Sequence, residues 1–351
     1  MKKIVIYVSD HGFGHASRII GLVRQLKQKN YEIIIKNFNA FNFLQLHLPY
    51  TKIIKLKTDV GPISNIFSSS PDYEKTYFLY NNWINNQKKW LNKEIEFYKN
   101  KKVDLIISDI SPISIQLANM LGIPSVTIAN FTWIDILEKF PYHKFNDKII
   151  DWLYTSFEMT DLAIKLPLHM QLKGLKKTKN SSLLCRKISM SKNTIFKKLK
   201  IVDRPIAVYL GNNNQKINIV LNNKDTKIIN INQKYIEIDN IKIKNSIEIQ
   251  NIIAASKLII AKPGYSIFSE CINSRCPMLT ISRKNYPEDR ILVKYGEKFG
   301  ISNTVNLDKT HTIDLTKFIS EKLTDNINEY EIKKIENLPS VSNLISELLL
   351  K

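Results

Sequence analysis

Two imidazoles, His11 and His15, bracket Gly12 and Gly14 in the stretch Asp10-His-Gly-Phe-Gly-His-Ala-Ser-Arg18. An imidazole near its ordinary pKa of about 6.5 accepts a proton at neutral pH, so either ring suits general-base work. A G-x-G turn between a strand and a helix lets backbone approach a ligand and aims helix N-terminal N–H groups at it. The same logic recurs in Ala261-Lys-Pro-Gly-Tyr-Ser-Ile-Phe-Ser-Glu-Cys271. There the N–H groups of Tyr265, Ser266 and Ile267, with the Ser266 hydroxyl, open a helix after Gly264 as an anion site, and Glu270 follows one to two turns later. A third stretch, Arg283-Lys-Asn-Tyr-Pro-Glu-Asp-Arg290, sets Glu288 and Asp289 between two arginines. Each has a plain structural reading too: a surface histidine, a turn glycine, a helix carboxylate.

Two chemistries drop out. Dinucleotide binding wants G-x-G-x-x-G, but Ser17 holds the third position, and Ile35-Lys36-Asn37 lacks the acid that would hold the ribose of NAD. A metal-held diphosphate wants paired carboxylates, and no D-x-D occurs, so neither a metal nor another cofactor is expected. Charge on a leaving phosphate would then fall to a helix N-terminus with Lys262, Arg283 and Arg290 as the available cations.

The elements that position these residues alternate. KIVIYVS (3–9) reads as a strand into the first glycine turn, and 16–28 as a helix by the spacing of Ile19, Ile20, Leu22, Val23 and Leu26. Runs 32–38, 51–56, 103–109 and 123–130 are further strands. Between them lies an aromatic segment, 73–99, with Tyr77, Tyr80, Trp83 and Trp90 at helical spacing, which fits either a core stripe or a glycan-lining groove. Runs 204–211, 257–264 and 276–282 repeat the strand, turn, helix order. Strands alternating with helices give an α/β protein with parallel sheets. At 351 residues, 44% hydrophobic and 24% charged, the chain suits two globular domains. The expected boundaries are an N-terminal domain over 1–170, a basic linker over 171–203 and a C-terminal domain over 204–351, with the last helix packing back on the first domain.

Cys185, Cys271 and Cys276 lack metal-ligand spacing and read as free cytosolic thiols. The opening MKKIVIYVSD reads as a strand, since Asp10 and His11 interrupt it and no cleavage site follows. No run reaches about 18 apolar residues, so a spanning helix is excluded. A cytoplasmic protein is the expectation, with peripheral contact at the inner membrane face. That contact would run through 173–204, where eleven Lys or Arg stand against one acid within a chain of net charge +20. Sparse aromatics there argue against nucleic acid.

Together these stretches resemble the GT-B glycosyltransferases, particularly the branch of the bacterial lipid-linked peptidoglycan GlcNAc transferase, and the N-terminal glycosyltransferase-like part of plant arabinokinase. The resemblance rests on strand-G-x-G-H-x-x-R, D-L-I-I-S-D-x-x-P with L-G-I-P-S-V, and K-P-G-Y-x-x-x-S-E followed by P-x-E-D-R, in that order. It implies two Rossmann-like parallel-sheet domains facing across a cleft, an N-terminal acceptor domain, and a C-terminal domain for a nucleoside-diphosphate sugar, UDP-sugar favoured. It further implies inverting, metal-independent transfer of a hexose or N-acetylhexosamine to an acceptor that is lipid-linked, glycan or otherwise unassigned. Within it, His15 matches the residue at the reacting centre and Asp109 the acid that orients it. Gly12 and Gly14 match the turn at the phosphates or acceptor, and Gly264, Tyr265 and Ser266 the diphosphate turn. Glu270 matches the ribose carboxylate, and Glu288 and Asp289 the acids on the transferred sugar. After the strand at 206–210, relatives carry a Gly-rich turn where this chain has only Gly211 before three asparagines. Three alternatives stay open: His11 as the base, a nucleotide-sugar hydrolase of the nonulosonic-acid type, and a non-catalytic nucleotide-sugar-binding protein.

Overall fold

The computed structural model describes residues 1–63, 70–141, 148–210, 218–221, 226–232, 235–238, 241–244, 246–283, 285–305, 312–316 and 327–350. Contacts divide the chain into two compact units: Met1–Cys185 with Lys284–Glu288 and Ile335–Lys351, and Arg186–Arg283 with Asp289–Lys334.

The first unit is built on seven strands: β1 (Lys3–Val8), β2 (Glu32–Asn37), β3 (Lys52–Lys55), β4 (Leu105–Asp109), β5 (Ser125–Ala129), β6 (Leu162–Lys165) and β7 (Thr178–Asn180). Their order is β3-β2-β1-β4-β5-β6-β7 and every pairing is parallel. Runs such as Ile4–Val8 and Leu105–Ile107 are buried because a parallel sheet is covered on both faces. After β1 the chain steps outward to β2 and β3, then returns to pair β4 beside β1. That reversal makes the carboxyl ends of β1 and β4 a topological switch point, where open α/β sheets leave a ligand crevice.

Helices α1 (Phe13–Lys27), α2 (Phe41–His47), α3 (Tyr73–Asn85), α4 (Gln87–Tyr98), α5 (Pro112–Leu121), α6 (Trp133–Leu137) and α7 (Lys148–Glu158) accompany this sheet. The segment 73–99 is two helices, not one. Asn86 breaks it at φ −98° and ψ 2°, and its Nδ2 donates back to the Asn82 carbonyl at 2.9 Å, competing with the helical ladder. Tyr80, Ile84 and Leu91 are buried, and Trp83 and Trp90 pack on the core, so the aromatic stripe is mainly core.

The second unit has strands β8 (Ile206–Tyr209), β10 (Ile228–Ile231), β11 (Tyr235–Ile238), β12 (Ile241–Lys244), β13 (Leu258–Ala261), β14 (Met278–Thr280) and β15 (Ser302–Thr304), ordered β12-β11-β10-β8-β13-β14-β15. A separate pair joins β9 (Asn218–Val220) to β16 (Thr312–Asp314). From β10 to β15 through β8 the pairings are parallel, but β10, β11 and β12 form an antiparallel meander, a departure from the expected parallel sheet. Connections of two to three residues are too short for a parallel crossover, so the strands must reverse. The switch point here lies between β8 and β13, whose ends pair at Tyr209 and Ala261.

Its helices are α8 (Lys192–Leu199), α9 (Ile249–Ala255), α10 (Tyr265–Ser274) and most of α11 (Pro287–Lys298) and α12 (Glu329–Glu336), whose first two and last two residues respectively fall in the first unit, as does α13 (Val341–Leu349). There Val341, Leu344 and Ile345 are buried and the helix packs on α1; Lys29 Nζ donates to Asn343 Oδ1 at 2.7 Å. Residues 171–203 are not a linker: Leu172, Leu184 and Cys185 are buried in the first unit and Ile195 and Leu199 in the second. Their basic residues are shared between the units, and Lys173 and Lys176 pair with Glu138 and Glu158. The three cysteines are buried and none is in a disulfide. Among the described residues, no helix is long and apolar enough to cross a membrane.

Candidate functional site

In the first unit, β1 and β4 place the chemistry. Val8 pairs with Asp109 in register, so the turn after β1 and the last residue of β4 emerge side by side. Gly12 caps α1 at φ 78°, a left-handed conformation that costs a side-chain-bearing residue, and a Cβ there would meet nothing within 4 Å. Its backbone therefore borders open space. Gly14 is exposed in the first turn of α1, and His15, which follows, is buried.

His15 Nδ1 lies 3.2 Å from Asp109 Oδ2. Arg18 sits one turn along α1, its Nε donating to Asp109 Oδ1 at 3.0 Å and its Nη2 making a second, closer bond to the same oxygen. Arg18 Nη1 also donates to Asn130 Oδ1 at 2.6 Å, and Asn130 Nδ2 donates to Glu288 Oε1 at 3.0 Å. Burial alone would push the Asp109 carboxyl up, but Arg18 and then His15 hold it below its ordinary value, so it is a carboxylate at neutral pH. His15 Nδ1 also lies 3.0 Å from Arg18 Nη2; in the tautomer whose Nδ1–H donates to the Asp109 carboxylate, the lone pair is on Nε2. Ile110, directly after Asp109, is held at φ 50°. For a β-branched residue this costs about 1–3 kcal/mol, strain of the kind found where a side chain must be aimed.

His11 occupies a different niche. Its ring packs edge-on to Trp133 with centroids 5.2 Å apart, Tyr286 Oη lies 3.2 Å from its Nε2, and a Cβ on Gly61 would strike the ring at 2.4 Å. Trp133 Nε1 donates to Asp59 Oδ2 at 3.1 Å and the Asp10 N–H to Asp59 Oδ1 at 2.7 Å. Asp10 itself accepts from the N–H groups of Phe38, Asn39 and Thr58, tying together the loops after β1, β2 and β3. Burial, then the adjacent Asp10 charge, raises Asp59 from 3.8 to about 7.

The folded state therefore keeps a proton on Asp59 between about pH 4 and 7 that the unfolded chain has released. This contribution to stability is full below about pH 4 and is lost as pH rises through about 7. Melting temperatures of wild type and Asp59→Asn from pH 4 to 8 should show wild type losing ground to the variant on going up in pH. A constant difference would contradict it.

In the second unit, β13 runs into Lys262-Pro263-Gly264 and α10. Gly264 is extended, at φ −169°, so conformation does not demand glycine. A Cβ there would again meet nothing within 4 Å, which leaves the start of α10 approachable. Tyr265 and Ser266 are buried in its first turn. Glu270 is fully enclosed and receives both Nε and Nη2 of Arg186, at 2.9 and 3.2 Å. Burial raises the Glu270 carboxyl and Arg186 opposes the rise.

Lys262 is half-buried, and burial followed by the nearby Arg283 charge lowers its pKa. Arg283 is forked onto Asp289, with Nη2 at 2.5 Å from Oδ1 and the backbone N–H at 2.6 Å from Oδ2. Glu288 and Asp289 thus do not form one acidic patch. Adjacent helical residues point about 100° apart, and these bind Asn130 and Arg283 respectively. Arg290 is exposed on α11. Gly211 lies outside the described residues.

Arg18, Asn130, Asp59 and Arg186 were not among the candidates. Arg18 had a signal, being one helical turn from His15, and Asn130 a weaker one as the residue just past β5. Arg186 was hidden in a basic run.

A family profile described as Glycosyl transferase family 1 matches residues 2–322. L-arabinokinase of Arabidopsis thaliana is 25% identical over 307 residues, covering 82% of this chain. The chain spans only 29% of that relative's length. Among solved structures, UGT89C1 of Arabidopsis thaliana in complex with UDP superposes with TM-score 0.65 at 10% identity, covering 100% of this chain and 99% of that one. The spinosyn forosaminyltransferase SpnP gives TM-score 0.66 at 10% identity, with 100% of both chains covered. The rhamnosyltransferase SpnG with thymidine diphosphate gives 0.63 at 12%, covering 99% of this chain and 100% of that one. The fold is that of these GT-B enzymes, two α/β units with predominantly parallel sheets.

Proposed function

We propose, from the premise that this chain belongs to glycosyl transferase family 1, that it moves a hexosyl or N-acetylhexosaminyl group from a nucleoside-diphosphate sugar, UDP-sugar favoured, to an acceptor hydroxyl by inverting, metal-independent displacement. The observation that carries the reading is the His15–Asp109 pair at the switch point of the first sheet. His15 Nε2 takes the acceptor proton as the acceptor oxygen bonds to the anomeric carbon. The bond from that carbon to the β-phosphate oxygen breaks, and its electron pair leaves with the nucleoside diphosphate. The first turn of α10, with Lys262 and Arg283, neutralises the leaving charge; fixed donors of this kind contribute several kcal/mol. Glu270 accepts from the donor's ribose.

Glu288 and Asp289, bonded to Asn130 and Arg283 respectively, accept from hydroxyls of the transferred sugar.

Incubation with a panel of UDP-, TDP- and GDP-sugars, with and without candidate acceptor glycans and lipids, tests the proposal. Transfer with inversion is the expected result. Nucleoside diphosphate released at the same rate without acceptor identifies a hydrolase, and binding without turnover a non-catalytic protein; either outcome removes the proposal.

A further inference from the structure

Glu270 is the carboxylate to which the proposed donor reading assigns the ribose, and the structure shows what aims it. Arg186 approaches from the segment between β7 and α8 and grips it through Nε and Nη2, one bond to each oxygen. The side chains are 3% and 1% exposed, so this is a fixed pair and not a surface contact. The chain just after Arg186 is itself held in place. Asn251 on α9 accepts from the N–H groups of Ser189 and Met190 at 2.8 and 3.1 Å through one Oδ1, and its Nδ2 donates to Ser189 Oγ at 3.1 Å. Three elements, α9, the 186–190 segment and α10, thus converge to set one carboxylate.

A buried ion pair is poor value as a stabiliser, because well-packed apolar residues of similar volume often do as well or better. Its particular property is direction. The planar guanidinium fixes the carboxylate plane in a way a point-charge ammonium does not. Each carboxylate oxygen has two lone pairs, and the fork takes one on each, leaving the other to accept from a hydroxyl.

Resting on that donor reading, we infer that Arg186 is a positioning residue for ribose recognition: it orients Glu270 so that the carboxylate distinguishes a nucleotide bearing both ribose hydroxyls from its deoxy analogues. Asn251 is the brace that keeps Arg186 in register. Neither residue touches the reacting atoms, so the effect is on selectivity.

The test is titration of the full chain with UDP, 2′-deoxy-UDP and 3′-deoxy-UDP by calorimetry. Wild type should bind UDP about 10–100-fold more tightly than at least one deoxy analogue, the range of one hydrogen bond to a charged acceptor. Arg186→Lys keeps the charge but not the fork, and should reduce that ratio to below about threefold while the chain still binds UDP. Should Arg186→Lys fail to fold, Asn251→Ala, which touches neither charge, should lower the ratio at least threefold. An unchanged ratio in the folded variant overturns the inference alone, as does equal weakening of all three ligands, which would place Arg186 on the diphosphate. Wild type that binds UDP without discrimination removes Glu270 from the ribose and overturns the inference, leaving transfer intact. Wild type that binds none of the three, nor any other nucleoside diphosphate, overturns the donor reading as well.

Discussion

His15→Ala is expected to lower turnover by about 10²–10⁴-fold while leaving nucleotide affinity and melting temperature nearly unchanged, the signature of a lost general base. The structure explains why the fold should tolerate it. Asp109 keeps the Nε and Nη2 bonds of Arg18, so removing the ring strands no buried charge. The loss should appear in kcat with little change in KM, since the proton moves only in the transition state. The control is His11→Ala. If His15→Ala retains turnover and His11→Ala loses it, the base is the other imidazole, in the niche of Trp133 and Tyr286.

The largest stability effect is expected far from that chemistry. Lys36 on β2 is fully buried, its Nζ 2.5 Å from Glu94 Oε2 on α4 and 3.5 Å from the centre of the Phe97 ring. Tyr7 Oη donates to the same Glu94 oxygen at 2.5 Å and lies 2.9 Å from Tyr98 Oη. Burial lowers Lys36 to about 8, with Glu94 opposing. Glu94→Leu leaves that ammonium without its carboxylate and should destabilise by about 3–5 kcal/mol, whereas Glu94→Leu with Lys36→Met should recover most of the loss. All four tryptophans, Trp83, Trp90, Trp133 and Trp152, lie in the first unit, so urea unfolding followed by their fluorescence reads that unit alone. If the double variant is as unstable as the single, the cost is packing and not charge.

Both residues look ordinary in the sequence, and the reason separates what was legible from what was not. The central strands were readable because a strand covered on both faces is a continuous apolar run, as in Leu105–Ile107 and Leu258–Ala261. Strand direction was not: β10, β11 and β12 are β-branched runs whose composition is the same for either pairing. The Asn86 break was hidden because the aromatic stripe continues across it. At the site, the glycine turns were visible as local motifs. The partners were not, because Asp109 meets His15 across 94 residues and Glu270 meets Arg186 across 84. Only the resemblance joined Asp109 to His15, and nothing in the sequence joined Arg186 to Glu270.

Packing of α13 on α1 has a consequence for synthesis. The helix that carries His15 emerges from the ribosome early, but the apolar residues that cover part of it, Val341, Leu344 and Ile345, are made about 150 residues after the last long contribution to its unit at Cys185. At about 5–20 residues per second, that face of α1 stays without its cover for roughly 10–30 s after Cys185 is made. The second unit is translated almost entirely within that interval. A nascent chain stalled before residue 335 should therefore recruit holdase chaperones through the first unit, and release them once 341–349 clears the exit tunnel.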